Sequence, residues 1–161
     1  MIERLHAESL VIRRLVPAPP ETVWAMWTEP AHFAAWYGPA GATVDVLAMD
    51  VCVGGRRHIA MSMHSPNGPT TMWFAGEHRE VSPLVRLSYT EAIADRAGTS
   101  LSPDEARLPP GHPVETEISI DLEPVDGGTA LTLTHVGIAP NSPGETGWTM
   151  ALDKLVDRLA Q

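Results

Sequence analysis

VETEISIDLEP (114–124) and TALTLTHVGI (129–138), joined by VDGG (125–128), decide the fold. Each alternates with a period of two. Ile118, Ile120 and Leu122 share one side of the first stretch, opposite Glu117, Ser119 and Asp121; Leu131 and Leu133 do the same against Thr132 and Thr134. That is the pattern of paired strands with one face in a core, turned by a tight glycine-bearing connection. Directly downstream, NSPGETGWTMALDKLVDRLAQ (141–161) changes period. Trp148, Leu152, Leu155 and Leu159 make one apolar helical stripe, and Ser142, Pro143 and Glu145 predict a capping box at its start. A sheet with one apolar face needs a cover, and this helix is the only segment long enough to supply it.

Working back toward the N-terminus, further strands are expected at SLVIRRLVP (9–17), TVDVLAMDV (43–51), RRHIAMSMH (56–64), TTMWFAGEHREV (70–81) and VRLSYTEA (85–92). SPNGP (65–69) and SPL (82–84) are turns by composition. PPETVWAMWTEPAHFAAWYGP (19–39) reads as two short helices, the second capped by Thr28 and presenting Phe33 and Trp36. Residues 93–113 are rich in turn formers and form a long loop, a lid or a mobile segment, with one helical turn at SPDE (102–105). The expectation is a single α+β domain over residues 1–161, a curved antiparallel sheet gripping a C-terminal helix.

Composition bounds the partners. The chain has 161 residues, 43% of them hydrophobic and 19% charged, with a formal net charge of −9. An acidic chain lacks the basic footprint of a nucleic-acid binder and is repelled by anionic membranes. MIERLHAESLVIRRL (1–15) has charges in every apolar run, so neither a secretory signal nor a membrane span is expected. One cysteine, Cys52, precludes an internal disulfide; it is expected to be a small buried hydrophobe in a cytoplasmic protein. Homodimerisation is left open.

Five stretches, WTEPAHFAAWYGP (27–39), VGGRRHIAM (53–61), GEHREVSPLVRLSYT (76–90), GTALTLTHVGI (128–138) and GW (147–148) with its leucine stripe, occur in an order that resembles the SRPBCC (START-like, helix-grip) superfamily. They look most like its AHSA-type branch, named after the activator of the heat-shock chaperone ATPase. The resemblance implies seven antiparallel strands wrapped around the last helix. It also implies a cavity that, across the superfamily, takes lipids, polyketides, hormones and other apolar ligands. Some relatives are cyclases or hydrolases; many only bind. The eukaryotic activators carry a further N-terminal domain that does much of the chaperone binding, so the branch name alone does not decide function. Two positions depart from the pattern: Arg57 and Glu91 stand where apolar or aromatic residues are usual, and both add charge on the cavity side.

No zinc-protease helix, phosphate-cradling glycine loop or nucleophile elbow is present, and no metal or cofactor is expected. Alternation along 56–64 puts Arg57, Ile59 and Met61 inward, with His58 and His64 outward. Hairpins centred on SPNGP and SPL would align Arg57, Glu77 and Glu91 in one row and set Met61 opposite Trp73, although Met72 and Phe74 compete with Trp73 for the inside. An unpaired buried arginine is costly, so the row predicts Arg57 neutralising one carboxylate while the other keeps a raised pKa. His135 should point inward, bonded to the backbone or to Thr116 or else touching ligand. Trp148 opens the gripped helix at the mouth of a pocket of roughly 300–1,000 Å³.

The residues expected to contact a ligand are therefore Arg57, Ile59, Met61, Trp73, Glu77, Tyr89, Glu91, His135, Trp148 and Leu152. The favoured reading is a binding module for a small apolar or amphipathic molecule. The alternatives are a cyclase-like or hydrolase-like enzyme using the cavity carboxylates, and a chaperone-linked interaction domain marked by exposed Met72 and Phe74.

Overall fold

A computed structural model describes residues 8–161. Residues 1–7, with the part of the N-terminal reading that falls on them, lie outside the described residues. Seven strands form one antiparallel sheet: β1 (Ser9–Val16), β2 (Thr43–Met49), β3 (Arg56–Ser65), β4 (Gly68–Ser82), β5 (Arg86–Ala94), β6 (Glu115–Val125) and β7 (Gly128–Val136). Their order across the sheet is β1-β7-β6-β5-β4-β3-β2. Two short helices follow the first strand, α1 (Pro20–Thr28) and α2 (Pro30–Trp36), and α3 (Pro143–Leu159) ends the chain. The fold class read from the sequence is the one observed. No helix among the described residues is long and apolar enough to cross a membrane.

The concave face of the sheet carries the core. Ile118 and Ile120 of β6, Leu131 and Leu133 of β7 and Leu87 of β5 are fully buried there beneath Leu152 and Leu155 of α3. The deep end is filled by aromatic rings from the helices. Trp27 packs 4.6 Å from Trp36 and 6.2 Å from Trp148, and Phe33 lies 4.2 Å from Tyr37, centroid to centroid.

Register is where the structure departs from expectation. The turn between β3 and β4 holds two residues, Pro66 and Asn67, between paired Ser65 and Gly68. A hairpin centred on Asn67 is therefore one position off, and Arg57 pairs with Gly76 instead of Glu77. Between β4 and β5 a bulge at His78–Glu80 shifts the partners by another position. A one-residue slip exchanges the faces of a strand. Glu77 and Trp73 thus point to the convex face, while Phe74 turns to the concave one; Met72 is exposed and borders the same groove as Trp73, so Met72 and Phe74 do not share one surface patch.

Local chemistry produced smaller corrections. Thr28 is the last residue of α1, where its hydroxyl donates to the Trp24 carbonyl at 2.9 Å; Glu29 takes the N-cap of α2 without a side-chain bond. Ser142 is the N-cap of α3, but its hydroxyl donates to Ala139 O, and Glu145 accepts from the Asn141 N–H, so the expected box does not close. The box at SPDE does close: Ser102 N–H donates to Glu105 at 2.9 Å and Glu105 N–H to Ser102 Oγ at 3.2 Å. Cys52 sits exposed in the bend after β2, not buried, because the strand ends at Met49. β5 runs on through Ile93 and Ala94, so the expected loop begins only at Asp95; it lies against the convex face, where Leu101, Glu105 and Ala106 border a groove with Trp73.

Candidate functional site

Between α3, the end of α2 and the concave face lies a cavity of about 210 Å³. Its walls are Tyr37, Met61, Phe74, Trp148 and Ala151, with Gly38 and Pro39 at the rim and Gly144 and Gly147 on the helix. Glu91 is the one charged residue among them. The cavity is smaller than expected because the aromatic cluster fills the deep end. Gly144, Gly147 and Ala151 recur at helical spacing beside Trp148, and their small side chains leave the open volume that remains. The only lysine, Lys154, donates to the carbonyls of Tyr37 and Pro39 at 3.4 and 3.3 Å, fixing the rim to α3.

Beneath Glu91 is a run of buried polar groups. Tyr37 O–H donates to Glu91 Oε2 at 3.2 Å, and the Tyr37 and Tyr89 hydroxyls lie 3.3 Å apart. Burial raises the Glu91 pKa, against the opposing pull of the Arg57 charge and the Tyr37 hydrogen bond. Burial likewise raises Tyr37 well above its usual range and pushes Tyr89 up to about 12, so both hydroxyls stay protonated donors.

Arg57 does point inward and is only 3% exposed. Its partners are rings and not carboxylates. The guanidinium carbon sits 3.6 Å from the Tyr89 centroid and 5.3 Å from that of Phe33, and Nη2 is buried with no hydrogen-bond partner among the described residues. Cation–π contact is worth about 2 kcal/mol when desolvated. It does not by itself offset the several kcal/mol cost of burying a charge, and the field of Glu91 supplies further compensation. His78 joins this layer. Fully buried 6.2 Å from the Tyr89 ring, it has its pKa lowered by burial and then by the Arg57 charge, against the opposing pull of the Asp50 and Gly55 backbone and the Asp50 charge.

His135 lies behind the cavity wall. Trp148 Nε1–H donates to its Nδ1 at 2.9 Å, and its Nε2 is 2.8 Å from Thr116 Oγ1, the partner anticipated from the sequence. Thr116 in turn donates to the Glu91 main-chain carbonyl at 3.3 Å. Because Nδ1 accepts, the imidazole is the neutral Nε2–H tautomer. Burial, aided by the His112 charge, lowers its pKa to about 4.

Of the ten residues singled out, Met61, Glu91 and Trp148 line the cavity. Arg57, Tyr89 and His135 stand one layer behind it, and Ile59 and Leu152 are core. Glu77 pairs on the convex face with Arg79 at 3.6 Å, and Trp73 borders the outer groove. Tyr37, Phe74, His78 and the small residues of α3 were not singled out. The competition between Phe74 and Trp73 was the available signal for Phe74, and the Gly144–Gly147–Ala151 spacing for the small residues. Among the described residues no three of histidine, cysteine, aspartate and glutamate converge as a metal site.

The model of the family described as Activator of Hsp90 ATPase homolog 1-like protein matches residues 17–160. Solved structures share the fold along nearly the whole chain. A Chromobacterium violaceum protein is 24% identical, with a TM-score of 0.74, over 96% of this chain and 99% of that one. A Rhodobacter sphaeroides protein is 26% identical, with a TM-score of 0.71, over 95% and 93%. The AHSA1 protein from Silicibacter pomeroyi is 22% identical, with a TM-score of 0.68, over 94% and 97%. No curated protein matches.

Proposed function

The chain belongs to the Activator of Hsp90 ATPase homolog 1-like family, and from that premise we propose that it binds a small amphipathic molecule in the cavity beneath α3. The observation that carries this reading is an apolar cavity with a single carboxyl, Glu91, hydrogen-bonded to Tyr37 at its edge. Met61, Phe74, Trp148 and Ala151 take the apolar body of the ligand, and Glu91 with Tyr37 takes its polar end. A cavity of about 150 Å³ accommodates benzene, so this one suits a single ring with a short arm and not a lipid. The two-carboxylate enzyme reading needs Glu77 beside Glu91, and Glu77 is on the other face of the sheet.

Ligand-observed NMR against a panel of monocyclic fragments (neutral, acidic and basic) tests the reading. Fragments should bind the native protein and be lost in Ala151→Phe, which fills the cavity from α3. A panel with no binder that depends on position 151 overturns it.

A further inference from the structure

The charge arrangement around the cavity narrows the ligand class. Glu91 is the only carboxylate on its wall. Around Glu91 stand Arg57 from β3, Tyr89 on its own strand and Tyr37 from the end of α2, with His78 of β4 behind Tyr89 and Asp50 beyond it. On the β6 and β7 side, Thr116 holds its carbonyl with His135 beyond, and Lys154 of α3 bonds the carbonyl of Tyr37. Two of these groups are permanent or near-permanent cations, and neither forms an ion pair with Glu91 among the described residues. A bound cation would add a third positive charge against one carboxylate. A bound carboxylate would instead offset Arg57, provided Glu91 carries a proton.

Resting on the ligand-site reading above, we propose that the cavity takes a small monocyclic carboxylate, held by a proton shared with the Glu91 carboxyl. Tyr37 occupies one oxygen of Glu91, Oε2, as a donor; the other oxygen is left to donate its O–H to the ligand. The ring lies against Phe74, Met61 and Trp148. No covalent bond changes. Where Glu91 is ionised in the free protein, one proton is taken up from solvent for each carboxylate bound. Burial raises the Glu91 pKa, which lowers the cost of that uptake.

Isothermal calorimetry with phenylacetate, 2-phenylethanol and 2-phenylethylammonium tests this on the intact chain. All three present the same ring, and phenylacetate stays ionised from about pH 6 to about pH 8. Phenylacetate should bind at least about tenfold more tightly than the other two. Its affinity should fall toward tenfold per pH unit above the Glu91 pKa, with about one proton taken up on binding as read from buffer dependence. Glu91→Gln, whose amide donates without a proton, should keep the affinity and lose the pH dependence. Tyr37→Phe should weaken binding with the pH slope retained. Tighter binding of the ammonium, or equal binding of the alcohol, overturns the carboxylate inference; if Ala151→Phe abolishes that binding, the cavity reading survives. Binding of phenylacetate with no pH slope, or lost in Glu91→Gln, overturns the shared proton. No binding of any of the three also overturns the inference, and the fragment panel then decides the cavity reading separately.

Discussion

Arg57 shows how far a single side chain can be read from sequence. Alternation along β3 placed it inward, and it is inward. Its partners could not be read, because they depend on whether a turn holds two residues or three. The sequence row Arg57–Glu77–Glu91 becomes Arg57–Gly76–Glu91 once Pro66 and Asn67 alone make the turn and the bulge at His78–Glu80 shifts β5 by one. Gly76 then matters for its size: a Cβ there would clash with the Thr90 carbonyl. Without a carboxylate in contact, the arginine is held by ring faces, which favours a flat guanidinium over an ammonium. Arg57→Met keeps the stem and removes the buried charge. Its unfolding free energy should be unchanged or rise, by up to about 2 kcal/mol. The Glu91 carboxyl, followed by carbon-detected NMR, should titrate higher than in the native protein because Arg57 no longer lowers it. A loss above about 2 kcal/mol would show that the guanidinium has a hydrogen-bonded partner. Arg57→Lys should destabilise, since the stacking on Tyr89 is lost while the charge remains.

The same division between periodicity and closure recurs among the elements. All seven strands and three helices were legible, because periods of two and 3.6 survive small errors in boundary. The leucine stripe of α3 was legible too, and Leu155 is fully buried against the sheet. Leu155→Ala should cost about 2–5 kcal/mol in chemical denaturation; a cost below about half a kilocalorie per mole would mean that the helix does not grip. Three of the four residues that α3 gives the wall escaped notice, since Gly144, Gly147 and Ala151 contribute by what they lack. Small residues carry no hydrophobic signal, and only their spacing beside Trp148 marks them. Loop 93–113 illustrates the limit of composition. Its one helical turn closes as SPDE implied, yet which face of the sheet it covers depends on the register of β4 and β5, and that register was one residue off. Lys154 binds α3 to the rim through two carbonyls. Lys154→Met should loosen that rim, and amide exchange at Gly38–Gly41 should quicken while the strands stay protected.

Across the whole molecule, the route Trp148–His135–Thr116–Glu91 ties the gripped helix to β7, β6 and β5 through neutral groups. Neutrality is required, since protonating His135 at Nδ1 would turn the Trp148 acceptor into a donor. This makes the stability of the fold depend on pH with a defined sign. His135 titrates at about 4 when folded and near 6.5 when unfolded. Between those values the unfolded chain binds more protons, so stability rises with pH and falls on acidification. The full shift corresponds to about 3 kcal/mol. His78, also lowered, adds to the same slope. Glu91 acts in the opposite direction. Its folded pKa is raised, so its contribution is present below the unfolded value and is lost as pH rises through the folded one. The two slopes overlap in the mildly acidic range and partly cancel. Chemical denaturation from about pH 7 to about pH 4 should therefore show a net loss of stability on acidification, led by His135. His135→Gln, which can still accept from Trp148, should flatten that loss. Glu91→Gln should steepen it, because only the histidine slope remains. A pH profile unchanged by His135→Gln would mean that the imidazole binds its proton alike in the folded and unfolded chain, so that burial against Trp148 does not lower its pKa.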